Sequence, residues 1–127
     1  MIARRALLIA SAAFAVAAPA HAFEIRPYDA DAAQKAIKSG KAVAIHVYAS
    51  WCLQCHAQKA ILSSLEGDPK YDAVSFFRVD YDAQREVVAQ LACPRSTLIV
   101  YKGGKEVARM SWGVMDSDVV NALQAAL

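Results

Sequence analysis

An excess of one charge sign is nearly absent from this sequence: 14 basic residues face 12 acidic ones over 127 positions, a net charge of +2. So small a bias gives no electrostatic ground for nucleic-acid binding. Glycine and proline are scarce, with five and four residues, which excludes collagen and flexible low-complexity sequence. The uncharged run from Ala6 to Ala18 has 13 residues, short of the roughly 20 needed to span a bilayer. Cysteine is limited to Cys52, Cys55 and Cys93, an odd number that leaves at least one thiol over or reactive. Apolar residues, by contrast, make up 57% of the chain. That is too many for a disordered protein and, at this length, enough for one domain but not two.

The apolar excess is concentrated at the start. Arg4-Arg5 precedes the Ala6–Ala18 run, Pro19 breaks it, and Ala20-His21-Ala22 has the small-x-small pattern of a cleavage site. Residues 1–22 therefore read as a secretory signal peptide, cut after Ala22, and residues 23–127 as the mature domain. The alternative, an uncleaved anchor, is disfavoured by the length of the run. Cleavage removes Arg4 and Arg5, so 12 basic residues remain against 12 acidic ones. All three cysteines are retained and would sit in an oxidising periplasmic or extracellular compartment.

Hydrophobic periodicity predicts the order of elements. A helix over 29–39 is capped by Asp29 and stopped by Gly40. Val43–Tyr48 reads as a buried strand. A helix follows from Cys52 to Leu65 and ends at Gly67-Asp68-Pro69. Val74–Val79 is a second strand, and Asp82 is placed to cap a helix to Ala92. Thr97–Tyr101 and Glu106–Met110 form a hairpin through Lys102-Gly103-Gly104-Lys105. Asp116 is placed to cap a last helix through Leu123. The alternation predicts an α/β domain: a mixed, four- to five-stranded sheet, parallel at its centre, with helices on both faces.

Cys52-Leu53-Gln54-Cys55 falls where the first strand runs into a helix. Residues three apart on a helix share a face, which brings the two sulfurs within bonding reach. At a helix N-terminus, unpaired N–H groups and the helix dipole favour a thiolate over a thiol at Cys52. The thiolate is the attacking species in disulfide exchange, and Cys55 is placed to resolve the mixed disulfide. Other readings of the motif stand beside this one. One is a structural disulfide. Another is a peptide- or metal-binding module holding Cu(I) or zinc through Cys52, Cys55 and Cys93, with His46 and His56 as further donors. A third is c-type haem attachment through Cys52-Leu53-Gln54-Cys55-His56, with Met110 or Met115 as distal ligand.

The run from Val43 through Ala49-Ser50-Trp51-Cys52-Leu53-Gln54-Cys55 resembles the thioredoxin superfamily. So do Phe77-Arg78-Val79-Asp80, the Ser96–Lys105 hairpin segment and Gly113. The resemblance covers about residues 30–127. It implies a thioredoxin-like fold and an exported thiol–disulfide oxidoreductase with Cys52 and Cys55 as the redox pair. Such chemistry needs no organic cofactor or metal. The implied partners are protein disulfides or dithiols and a redox partner protein, with no nucleic acid, no membrane after cleavage, and a monomeric state. Only 18 residues separate Cys55 from Val74, too few for the helical insertions of periplasmic oxidases or cytochrome-maturation relatives. The resemblance is therefore to a compact, exported thioredoxin-like protein.

The pattern departs from the family in the loop facing the CxxC, where a cis-proline is usual. Counting back from the hairpin puts Ser96 there, with Pro94 two residues early; Ser96 is the favoured occupant. Cys93 lies beside this loop, either as a half-buried thiol or as a third redox cysteine. His46 stands where the family often has a buried acid that relays protons to the inner cysteine, and is otherwise a core histidine satisfied by a hydrogen bond. Trp51 is expected to pack over the dithiol as a lid. His56 belongs on a solvated helix face, and Trp112 in core or rim packing.

Overall fold

The computed structural model describes residues 23–127; the expected signal peptide and its cleavage site lie outside the described residues. Five strands, β1 (Ile25–Pro27), β2 (Val43–Tyr48), β3 (Ser75–Asp80), β4 (Thr97–Lys102) and β5 (Lys105–Ser111), form one sheet in the order β1-β3-β2-β4-β5. β1, β3 and β2 run parallel, while β4 and β5 are antiparallel to their neighbours. Helices α1 (Ala30–Lys38), α2 (Leu53–Ser64), α3 (Arg85–Leu91) and α4 (Asp116–Gln124) complete the domain, with a short 3₁₀ turn at Pro69–Tyr71.

The two-residue period of the strands divides the core in two. On β2, Val43, Ile45 and Val47 face one side, joined by Phe77 and Val79 of β3 and covered by Ala33 of α1 with Val87, Val88 and Leu91 of α3. Ala44 faces the other side with Phe76, Leu98 and Val100, beneath Ile61 and Leu62 of α2 and Val119 and Leu123 of α4. β2 is buried on both faces, which is why it reads as a continuous apolar run rather than an alternating one.

Helix starts follow local chemistry. The Asp29 carboxylate accepts from the Ala32 N–H at 2.9 Å and caps α1 as the sequence predicts. Two other predicted caps are displaced. α3 begins at Arg85, three residues after Asp82, because Asp80 takes the Asp82 and Ala83 N–H groups and folds that stretch into a turn. α4 is capped at Met115, whose N–H donates to the Asp118 side chain at 3.0 Å, while Asp116 lies inside the first turn. The hairpin turn has Gly103 and Gly104 at φ +63° and +80°, the pair of positive angles a tight type I′ turn requires. β1 was not read from the sequence. It is three residues long and contains Pro27, which only an edge strand tolerates.

Candidate active site

β2 delivers the chain through Ala49 to the start of α2, and Cys52 occupies the N-cap with extended backbone angles. Its sulfur accepts the Cys55 N–H at 3.2 Å. A cysteine thus takes the role that serine or aspartate plays at ordinary caps, and the sulfur meets the positive end of the helix. Cys52 and Cys55 are both free thiols. Cys55 lies one turn in, fully buried, its Sγ 4.0 Å from the Val47 carbonyl. Cys52 is itself only 2% exposed, so approach to its sulfur requires side chains at the mouth to shift.

Burial works against ionisation at Cys52, but hydrogen bonds from the Cys55 side chain and N–H, then the hydrogen bond and charge of Arg95, outweigh it and lower the thiol pKa. At Cys55 burial and the hydrogen bond with Cys52 push the pKa up, partly opposed by Ala49 and Ser96. The two thiols are driven apart, one toward the nucleophile and the other toward a reserve thiol.

The loop facing the pair carries Ser96, not Pro94. No peptide bond among the described residues is cis, and Ser96 sits at φ +59°, the left-handed region. Such a residue costs about 1–3 kcal/mol unless its surroundings fix it. Here they do: Ser96 N–H donates to Val47 O at 2.9 Å, and Ser96 O accepts from Trp112 N at 2.8 Å and from Gln58 Nε2 at 3.1 Å. Pro94 is exposed and lines a separate groove of about 600 Å³ with Tyr81, Val88, Ala92 and Cys93. Cys93 packs with the opposite core face, and burial raises its thiol pKa. Cys93 is thus not gathered with Cys52 and Cys55, and no group of three or more histidine, cysteine or acidic residues suited to a metal occurs among the described residues.

His46 is buried, 1% exposed. Its Nδ1 accepts from Arg78 Nε at 3.3 Å, and Nε2–H donates to Gln58 Oε1 at 3.0 Å. Gln58 in turn donates from Nε2 to Ser96 O and to Gly113 O at 2.9 Å. The histidine therefore belongs to a buried chain running from Arg78 to the two loops around the dithiol, and it acts on Cys55 through no direct contact given by these bonds. Gln58 was missed in the sequence. Its signal is a polar side chain in line with Cys55, Ile61 and Leu62 on the buried stripe of α2.

Burial holds the His46 pKa down at about 4, against roughly 6.5 in an unfolded chain. Below pH 6.5 the unfolded chain takes up a proton that the folded one refuses, so stability is complete above that pH and declines as pH falls toward 4. From this group alone, urea unfolding is expected to show about 2 kcal/mol lost between pH 7.5 and pH 5. A His46→Gln protein should lack that slope; an equal slope would place its origin elsewhere.

Trp51, next to Cys52 in the chain, is 56% exposed. Its Nε1–H donates to Asp82 at 2.8 Å, and its ring meets Tyr81 edge-on at 6.4 Å. The other face carries Arg95, whose guanidinium lies 4.5 Å from the Trp51 ring centroid and 4.9 Å from that of Trp112. Arg95 was also missed; it is the cation immediately before Ser96 in the loop. His56 turns back to the loop, donating from Nε2 to Ser50 O at 2.6 Å and contacting the Tyr48 hydroxyl.

The family profile described as Thioredoxin matches residues 25–125. A thioredoxin H-type of Fagopyrum esculentum is 36% identical over 80 residues, 61% of this chain and 66% of the plant protein, slightly under two thirds of its length. The crystal structure of Trxlp from Edwardsiella tarda EIB202 superposes with a TM-score of 0.74 at 33% identity, covering 79% of this chain and 98% of that one. The thioredoxin f2 structure solved with ferredoxin:thioredoxin reductase shares the fold, with a TM-score of 0.66 at 22% identity over 84% of this chain and 97% of that one.

Proposed function

The chain belongs to the thioredoxin family, a family of thiol–disulfide oxidoreductases, and from that membership we propose that it is an exported member whose nucleophile is Cys52. One observation carries the reading: the Cys52 sulfur caps α2 and accepts the Cys55 N–H at 3.2 Å.

In the reducing direction the Cys52 thiolate attacks one sulfur of a protein disulfide. The substrate S–S bond breaks, a Cys52–substrate disulfide forms, and the other substrate sulfur leaves as a thiolate. That step removes the negative charge at Cys52, which had been raising the Cys55 pKa. Cys55 then gives up its proton more readily and attacks the Cys52 sulfur, releasing the second substrate thiolate and forming the Cys52–Cys55 disulfide. Two electrons pass to the substrate, and a dithiol partner must return them. With an oxidising partner the same steps run in reverse. Thioredoxin f2 is a thioredoxin seen with its reductase; a redox partner protein is proposed for this chain on the same chemistry.

Export is supported by the basic start, the 13-residue apolar run and the Ala20-His21-Ala22 site. Phe23, the first residue after that site, stacks on Phe76 at 4.1 Å, so cleavage there would leave the described domain whole. In a cell expressing the full chain, the protein is expected in the exported fraction with Phe23 as its first residue. Retention of residues 1–22 would refute this.

A Cys55→Ser protein should trap the first intermediate. Incubated with insulin, it should accumulate a covalent adduct on a non-reducing gel that dithiothreitol releases, while the unaltered protein turns over without accumulation. No adduct and no insulin reduction would overturn the assignment.

A further inference from the structure

We propose that Arg95 selects the substrate: its guanidinium, clamped between Trp51 and Trp112 beside Cys52, receives a carboxylate that flanks the target disulfide. The preferred partners are then proteins with an acidic residue next to the reactive cysteine. This deepens the oxidoreductase reading and rests on it.

Three features of the site lead to this. First, the cation is preorganised. Ring centroids at 4.5 and 4.9 Å hold it from two sides, and because both tryptophans are exposed, 56% and 41%, the clamp opens at the protein surface. A side chain fixed in advance loses little entropy when it binds.

Second, Arg95 pairs with no carboxylate among the described residues; the anion it supports is the Cys52 thiolate beside it. The ion pair found among the described residues joins Arg109 to Glu106. Asp82, the acid nearest in this network, is engaged by the Trp51 Nε1–H at 2.8 Å. The Arg95 Nε atom is buried and has no hydrogen-bond partner. Any incoming carboxylate must therefore meet the terminal nitrogens of the planar guanidinium, a group whose fork of N–H donors matches a carboxylate.

Third, the main chain of Ser96 is already engaged. Ser96 N–H is committed to Val47, and Ser96 O to Trp112 and Gln58. With the main chain of Ser96 engaged inside the protein, recognition at this loop falls to the side chain that precedes it. Leu53, next to Cys52 in the chain, and Val114 and Met115, just after Trp112, are exposed apolar residues. An ion pair formed there is screened less than one in open water.

The test uses three disulfide-linked peptides of one sequence carrying Asp, Asn or Lys beside the bridged cysteine, reduced by the full domain with dithiothreitol as electron source. The Asp peptide is expected to be reduced with a kcat/KM about tenfold above the Asn peptide, with the Lys peptide slowest. The preference should shrink in high salt, persist in part in Arg95→Lys, and vanish in Arg95→Met. Equal rates on all three peptides, or an Arg95→Met protein slowed by one common factor while keeping its ranking, would overturn the proposal. Binding is read separately in a Cys52→Ser protein by tryptophan fluorescence, since Trp51 and Trp112 flank the guanidinium. Tighter binding of the Asp peptide, lost on adding Arg95→Met, supports the assignment even if turnover is absent; equal binding of the three peptides contradicts it. Failure of insulin reduction with the Asp preference in binding intact would overturn the oxidoreductase reading alone.

Discussion

A Cys52→Ser protein is expected to lose insulin reduction by about three orders of magnitude or more while keeping its fold. The two halves of that result have separate causes. Serine is among the best N-cap residues, and its oxygen can accept the Cys55 N–H that the sulfur accepts now at 3.2 Å. Stability should therefore change by no more than about 0.5 kcal/mol. A hydroxyl, however, does not ionise near neutral pH, and a helix N-terminus cannot make it do so. Insulin turbidity and urea unfolding measured on one preparation separate the two halves. Turnover close to that of the unaltered protein would remove Cys52 from the chemistry.

The largest effect on stability is expected at Gln58. Replacing it with leucine keeps the volume roughly constant but removes three hydrogen bonds at once, leaving His46 Nε2–H and Gly113 O without a partner and Ser96 O with one fewer. Each unsatisfied buried group costs about 1–3 kcal/mol, so the variant should be destabilised by about 3 kcal/mol or more. The Ser96 carbonyl keeps its bond from Trp112 N, which places the loss toward the lower end. Gly113 leaves little room for repair, because a Cβ there would lie 2.6 Å from Asp118 Cβ. Alanine at Gln58 should cost at least as much, since it adds a cavity. A loss under 1 kcal/mol in Gln58→Leu would mean that the chain of bonds from Arg78 to Gly113 does not hold the loops.

The readable parts of this fold are those that local chemistry decides. Val43–Tyr48 announces a central strand because both its faces are buried. Asp29 and Gly40 mark the ends of α1 through a capping carboxylate and a left-handed turn, Gly40 at φ +81°. The CxxC at a strand-to-helix junction was legible for the same reason, as the cap position of Cys52 follows from the two elements around it. Where several carboxylates compete for the same amides, sequence order misleads. Asp80 rather than Asp82 organises the turn before α3, and at the Met115 cap of α4 the free N–H is taken by Asp118 rather than Asp116.

What the sequence hides is made by distant residues. Arg95 gains its meaning only when Trp51 and Trp112, 44 and 17 positions away, close on it. Gln58 bonds a strand residue 12 positions before it and carbonyls 38 and 55 positions after. Cys93 shows the converse. It is three residues from Ser96, yet left-handed turns at Ala92 and Ser96 send it to the opposite core face. Proximity in sequence to the dithiol loop did not become proximity in space.

The proposed chemistry depends on a thiolate held at the start of α2. Its most direct measurement is the pH dependence of alkylation by iodoacetamide at Cys52, in a protein with Cys93→Ala so that the outer thiol is read alone. The site predicts an inflection clearly below the value of about 8.5 for free cysteine, with Cys55 reacting only at higher pH. An inflection at or above that of free cysteine would contradict it.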